Sequence, residues 1–226
     1  MTADERLAAG LSLQVASAAV ALSLPFAVVF AYVLARFEFR GRTVVQGLID
    51  LPLVLPPVVT GYLLLLFFSP AGPVGGALAT LGVDVAFTWL GAVVAAAVVG
   101  FPLMVRAIRG AIQSVDIRHE LMARSLGAGR LSALWYVTLP LARRGVVAGC
   151  LLAFARGMGE FGATIMLAGD IPGETRTIPL AIYALGQRVG GFQRSWRLVL
   201  LSVLLSVAAL ILGEALEKRW SRRDEH

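Results

Sequence analysis

Residues 7–35 read LAAGLSLQVASAAVALSLPFAVVFAYVLA, with no charged side chain, and the run stops at Arg36, Glu38, Arg40 and Arg42. A bilayer's hydrocarbon core is crossed by about 20 apolar residues, so this stretch is a complete span with length left for tilt. The pattern recurs along the chain. Residues 51–83 are again uncharged, but Ser69-Pro70-Ala71-Gly72-Pro73 and Gly75-Gly76 are turn chemistry that divides them, which places a second span at about 46–68. A third is expected at about 85–105, ending at Arg106 and Arg109, with Pro102 bending its final turn. A polar stretch follows, and then a fourth span at about 139–168, interrupted by Arg156 and Glu160. The fifth, at about 198–213, has Trp196 as an interfacial anchor. Residues 178–185 are apolar but too short to cross alone, and read as a half-helix or a short sixth span.

The 226 residues are 58% hydrophobic and 15% charged, with a mean hydropathy of +0.81, which is more apolar surface than one soluble core can bury. The expected fold is therefore an all-α integral membrane protein, with five transmembrane helices and the short further segment. It fills residues 1–226 as one domain. The opening Met-Thr-Ala-Asp-Glu-Arg lacks the basic flank of a cleaved leader, so the first span is read as retained.

Nineteen of the 20 basic residues are arginine, and Lys218 is the sole lysine. A phosphate-binding loop needs Gly-Lys-Ser/Thr after a glycine-rich turn, and Lys218 stands in a charged tail, so ATP hydrolysis is not expected of this chain. The net charge of +6 does not point to nucleic acid, because the arginines cluster between apolar runs, where they set orientation. Loops near 36–42 and 106–144 and the tail from Lys218 are basic, whereas 69–84 has no basic residue. This asymmetry places the N-terminus outside and the C-terminus in the cytoplasm; Arg176, Arg188 and Arg194 fit it least well. Cys150 lies in an apolar run, and His119 and His226 lack ligand spacing, so neither a disulfide nor a metal site is expected. No catalytic set is present either: one embedded Glu with no embedded His supplies neither a nucleophile with its base nor paired acids.

Residues 116–130 form a short polar helix followed by a glycine turn, in a loop assigned to the cytoplasm. Composition alone fits either a solvated loop helix or a docking element. Glu120 to Gly127, followed by Thr138-Leu139-Pro140-Leu141, resembles the cytoplasmic loop signature of ABC importer permeases, with Leu121 and Met122 departing from its usual more polar or smaller pair. The resemblance implies a coupling loop at about 113–133, with Glu120, Ala123, Ser125, Leu126, Gly127 and Ala128 set against a cleft on a separate ATPase subunit. ATP and Mg would be bound there, and this chain would hold no cofactor.

The likeness extends over most of the chain. Residues 51–62, Phe101-Pro102-Leu103-Met104-Val105-Arg106, Gly159-Glu160-Phe161-Gly162-Ala163-Thr164, and Ile171-Pro172-Gly173 with residues 177–183 resemble permeases of the molybdate type. Sulfate permeases carry a similar Gly-Glu-Phe-Gly-Ala run, and tungstate is a further alternative. The resemblance implies a homodimer with two ABC ATPase subunits and an external or periplasmic oxyanion-binding protein, set in a lipid bilayer and without nucleic acid.

The residues expected at a pathway or gate are Pro56, Pro57, Thr60, Gly61, Arg156, Gly159, Glu160, Phe161, Gly162 and Thr164. Pro56 and Pro57 remove helix hydrogen bonds, and exposed backbone at membrane depth is tolerated only against protein or water. A kink packed on a neighbour is the plainer alternative. Arg156 and Glu160 stand four apart and can pair on one helix face, as a gate or as a bundle-holding ion pair. Gly157, Gly159 and Gly162 strip side chains from the same stretch, which serves close helix packing as well as a central pathway. No internal repeat marks an inverted-repeat carrier. An ion-coupled carrier or channel is the rival class, for which more embedded titratable groups are expected.

Overall fold

The computed structural model describes residues 3–188 and 191–221, and these contain helices and turns but no strand. In chain order the helices are α1 (Ala3–Arg36), α2 (Arg42–Val54), α3 (Pro57–Phe68), α4 (Pro73–Ala79), α5 (Trp89–Ser114), α6 (Ile117–Ser125) and α7 (Arg130–Ala133). A π-helical turn (Leu134–Thr138) then leads into α8 (Leu139–Met158), α9 (Gly162–Leu167), α10 (Ile178–Gly186) and α11 (Phe192–Ser221).

The core is a packed set of α1, α5 and α8. Ala27, Ala31 and Leu34 of α1 meet Met104, Val105, Ile108 and Ile112 of α5 and Ala142 and Ala153 of α8. Lipid tails are as apolar as the side chains, so association in a bilayer depends on close packing, and small residues allow it. A Cβ on Gly145 would overlap the Cβ of Ala111, and one on Gly100 would stand 3.2 Å from the Ala153 carbonyl oxygen. Those two glycines hold α5 and α8 at backbone distance.

Among the described helices, α1 and α5 are each long and apolar enough to cross a membrane. The second expected span is not a single helix. α2 and α3 meet at an angle of 114°, because Leu55 (φ −68°, ψ 142°) and Pro56 (φ −54°, ψ 135°) are both extended. The residue before a proline is pushed out of the helical region, and two prolines in succession impose this twice. α2 is tied back to α5 by Arg106, whose Nε and Nη2 lie 2.9 and 2.8 Å from the two carboxylate oxygens of Asp50, and by Arg109, which donates to Gln46 Oε1 at 2.8 Å. α5 itself runs unbroken through Pro102 to Ser114, past the expected end near 105. Pro102 therefore lies inside the helix and not in its last turn.

The fourth expected span is likewise divided. Its axis turns by 77° between Arg130–Leu141 and Arg143–Met158. Pro140 supplies no N–H to the preceding turn, and there the helix widens so that the Leu139 N–H reaches the Leu134 carbonyl. α8 then stops at Met158, short of the expected 168, and residues 159–161 separate it from α9. α10 has nine residues, about 13 Å at 1.5 Å each, and so does not cross alone. α11 is longer than expected, with an apolar part at Ser195–Ala208. The five anticipated spans thus correspond to two full-length helices, two bent pairs and one shorter apolar stretch. Lys218 lies in a part of α11 whose side chains are not described, and His226 lies outside the described residues.

Candidate functional site

Two places bring the sequence-singled residues together. The first is the junction of α3 with the break between α8 and α9. A Cβ on Gly61 would come within 2.7 Å of both Cα and O of Ala163 and 2.8 Å of Met166 Cβ, and one on Gly162 within 2.7 Å of Pro57 Cβ. The two glycines interlock two helix starts, α3 at Pro57 and α9 at Gly162. Gly157 makes ordinary contact with Ala16 and Ala96 at 3.6 Å, while a Cβ on Gly159 would meet only the Arg156 and Ala155 carbonyl oxygens, at 3.9 and 4.0 Å. Close packing therefore accounts for Gly61 and Gly162 but not for Gly159.

Glu160 sits in this break, 2% exposed. Its backbone N–H donates to the Gly157 carbonyl at 3.1 Å, which closes α8. Its Oε1 accepts the Ala163 N–H at 2.7 Å. The first N–H groups of a helix have no internal partner and carry positive partial charge, so a carboxylate there is favourable on both counts. Oε2 lies 2.7 Å from Arg156 Nη1; the contact is an ion pair whose angles do not form a hydrogen bond. Arg156 and Glu160 are paired, but not along one continuous helix: the acid belongs to the break. The Arg156 side chain is 30% exposed, so the pair is anchored on a buried acid and opens to its surroundings through the guanidinium.

Phe161 stacks at a tilt on Tyr183 of α10, with centroids 5.1 Å apart. Thr60 and Thr164 are buried, and among the described residues Thr60 Oγ1 has no hydrogen-bond partner.

The second place is α6. Asp116 caps its start by accepting the Arg118 N–H at 2.9 Å. Its end is a Schellman closure: the Ala128 N–H bonds the Ala123 carbonyl at 3.1 Å and the Gly127 N–H bonds the Arg124 carbonyl at 3.0 Å. This geometry needs a left-handed residue after the cap, and Gly127 has φ +93°. Ser125 donates to the Met122 carbonyl at 2.8 Å. Leu121, Met122, Leu126 and Gly127 are exposed, Leu126 to 89%, and Ala123 and Ala128 are half-buried. Exposed Leu131, Trp135 and Tyr136 lie just beyond. Large exposed apolar side chains are therefore grouped along residues 121–136, interspersed with the exposed Arg124 and Arg130.

Glu120 does not share that surface. It is 5% exposed and faces inward, where Oε1 accepts from Arg36 Nε at 2.7 Å and from Thr138 Oγ1 at 2.9 Å, and Oε2 accepts from Tyr32 at 3.4 Å. The acceptor expected to meet a partner is used inside the chain. Sequence reasoning missed Arg36 and Tyr32 as its partners, because Arg36 read only as the end of a span. Thr138 had been visible within Thr-Leu-Pro but carried no stated role. A second pair, Arg176 to Asp170 at 2.6 and 2.9 Å, was also not anticipated.

No group of three or more potential metal ligands occurs among the described residues.

Residues 23–222 match the family of binding-protein-dependent transport system inner membrane components. The chain is 49% identical over 219 residues to the molybdenum transport system permease protein ModB of Escherichia coli strain K12, covering 96% of each chain. It is 36% identical over 200 residues to that organism's sulfate transport system permease protein CysT, covering 88% of this chain and 71% of the relative. In fold it resembles a chain from the crystal structure of a bacterial ABC transporter involved in import of the acidic polysaccharide alginate, with a TM-score of 0.74 at 17% identity, covering 97% of this chain and 80% of that one. The capped, exposed α6 and the membrane helices around it thus belong to a member of the binding-protein-dependent transport system inner membrane components, in the branch that holds the molybdenum transport permeases.

Proposed function

We propose that this chain is the transmembrane permease subunit of an ATP-driven importer that moves molybdate into the cytoplasm. The observation that carries the reading is the 49% identity to the molybdenum permease across 96% of both chains, against 36% to the sulfate permease over a smaller share. The subunit works as a homodimer with two ABC ATPase subunits, which bind ATP and Mg, and with an external oxyanion-binding protein. Energy enters at α6, where exposed Leu121, Met122 and Leu126 fit an apolar cleft on the ATPase.

A dianion is costly to place in hydrocarbon, which favours a hydrated path opened alternately to each side over a tight buried site. The break at 159–161, the α3 start at Pro56 and Pro57, and the unpaired Thr60 hydroxyl support a gate there. Glu160 is engaged by Arg156 and the Ala163 N–H, so its charge holds the gate and is not offered to the anion. That pairing also argues against an ion-coupled carrier, which needs an embedded acid free to exchange its ion. The test is uptake of radiolabelled molybdate by reconstituted vesicles, with tungstate and sulfate as competitors. Molybdate uptake that needs ATP and resists excess sulfate is expected; ATP-independent uptake would favour the carrier, and full competition by sulfate a sulfate permease.

The arrangement has five membrane-crossing segments, with the N-terminus outside, the C-terminus in the cytoplasm, and the turn around α4 outside. A labelling probe near α4 is better placed at Leu81, which is exposed, than at Gly75, where a Cβ would overlap the Ser69 carbonyl. In a Cys150→Ala background, Leu81→Cys is expected to react with an impermeant thiol reagent from outside, and Ala128→Cys only after the membrane is opened. Equal labelling of both from one side overturns the orientation.

A further inference from the structure

We infer that Glu120 is a positioning residue that couples the docking helix α6 to two membrane helices at once, through Arg36 at the end of α1 and Thr138 in the π-helical turn before α8. The inference rests on the importer reading and specifies how α6 acts within it.

A helix that only docked a partner would need its exposed face and its caps. Glu120 serves neither. It projects from the first turn of α6 to the side opposite the exposed Leu121 and Met122, where a buried carboxylate is retained only with partners for its charge and lone pairs. Those partners come from two other elements. Arg36 gives Nε to Glu120 at 2.7 Å and Nη2 to the Val115 carbonyl at 2.9 Å, so it grips both the carboxylate and the backbone entering α6. Its side chain is 9% exposed, which shields the pair from screening. Thr138 is fully buried and gives its hydroxyl to the same Oε1 at 2.9 Å.

The site of attachment matters as much as the bonds. Thr138 is the last residue of a π-helical turn, a geometry frequent at functional positions. The next residue starts α8, whose other end carries Arg156 and leads directly to Glu160. One carboxylate oxygen thus stands between the docking surface and the helix that ends at the gate, while Arg36 joins the same oxygen to α1. A displacement of α6 by the ATPase is transmitted through short, charge-assisted bonds, with no flexible loop in series.

The test uses the complete importer in liposomes, with its ATPase subunits and binding protein, and reads molybdate moved per ATP hydrolysed, recovery of the ATPase with the permease, and thermal unfolding of the complex. Thr138→Val keeps the shape and removes the donor; it is expected to lower the transport ratio by about tenfold or more with ATPase recovery unchanged, as for loss of one hydrogen bond to a charged group. Thr138→Ser restores the ratio. Glu120→Gln keeps an oxygen for the Thr138 hydroxyl but loses the charge facing Arg36; it lowers the ratio as well, and the double variant falls by less than the two losses combined, since both act on one carboxylate. A transport ratio equal to the wild type in Thr138→Val, whatever happens to unfolding, overturns the coupling role. Should Glu120→Gln fail to assemble, Thr138→Val and its serine rescue still decide. A wild-type chain that recruits no ATPase would overturn the importer reading instead, whereas a coupled wild type with unaltered variants overturns this inference alone.

Discussion

Glu160→Gln should leave the protein in the membrane and bound to its ATPase, yet lower ATP-driven uptake by about tenfold to a hundredfold, somewhat less than removing one partner of a fully buried ion pair costs. The amide keeps an oxygen able to accept the Ala163 N–H, so the α9 start is not abandoned. What it loses is the negative charge facing Arg156 Nη1 at 2.7 Å. Removing one partner of a buried pair is more damaging than replacing both, because the other charge stays behind. Here the Arg156 side chain is 30% exposed, so solvent offsets part of that loss and the fold survives. Insertion should be eased by loss of an embedded charge. The measurement is uptake set against the amount of protein inserted and the ATPase recovered with it. A fully active Glu160→Gln protein that merely unfolds at lower temperature would make the pair a structural brace, and the gate would have to be sought elsewhere.

How far this site could be read from sequence depends on which physical quantity sets it. The charge-free runs and their arginine stops locate the apolar segments, since burial in a bilayer depends on composition summed over a window. Direction is not such a quantity. Pro56 and Pro57 announce exposed backbone, but the 114° turn follows from the combined dihedrals of Leu55 and Pro56 and from the seat that Gly61 finds on Ala163, about a hundred residues onward in the chain. The break at 159–161 is hidden for a related reason: the chain stays apolar on both sides of it, and Gly157, Gly159 and Gly162 serve close packing within a helix as readily as they serve its end. For Glu120, the four-residue and heptad spacings that reveal helix faces carry no trace of Arg36, 84 residues away. The acid on a polar helix was legible; its inward orientation depended on tertiary packing.

Gly127→Asp should abolish ATP-driven uptake while the permease still inserts and dimerises, and the reason lies in what surrounds this glycine. At φ +93° an L side chain is strained, by about 1–2 kcal/mol in general and less for Asp or Asn, whose short polar chains tolerate the left-handed region. Nothing stands within 4 Å of a Cβ built there, so the chain itself offers no clash. The cost to the isolated permease is therefore small, and a large loss of function must arise against something that approaches from outside. Leu126, 89% exposed and adjacent, places that approach on the apolar end of α6, where a new carboxylate would have to be desolvated on docking. Gly127→Asn carries the same backbone strain without the charge and separates the two effects: it should retain part of the uptake and most of the ATPase recovery. Normal ATP-dependent uptake and ATPase recovery by Gly127→Asp would remove the C-terminal end of α6 from the docking surface. If Asn and Asp were equally inactive with ATPase still bound, the left-handed closure itself, and not the approaching surface, would be what coupling requires.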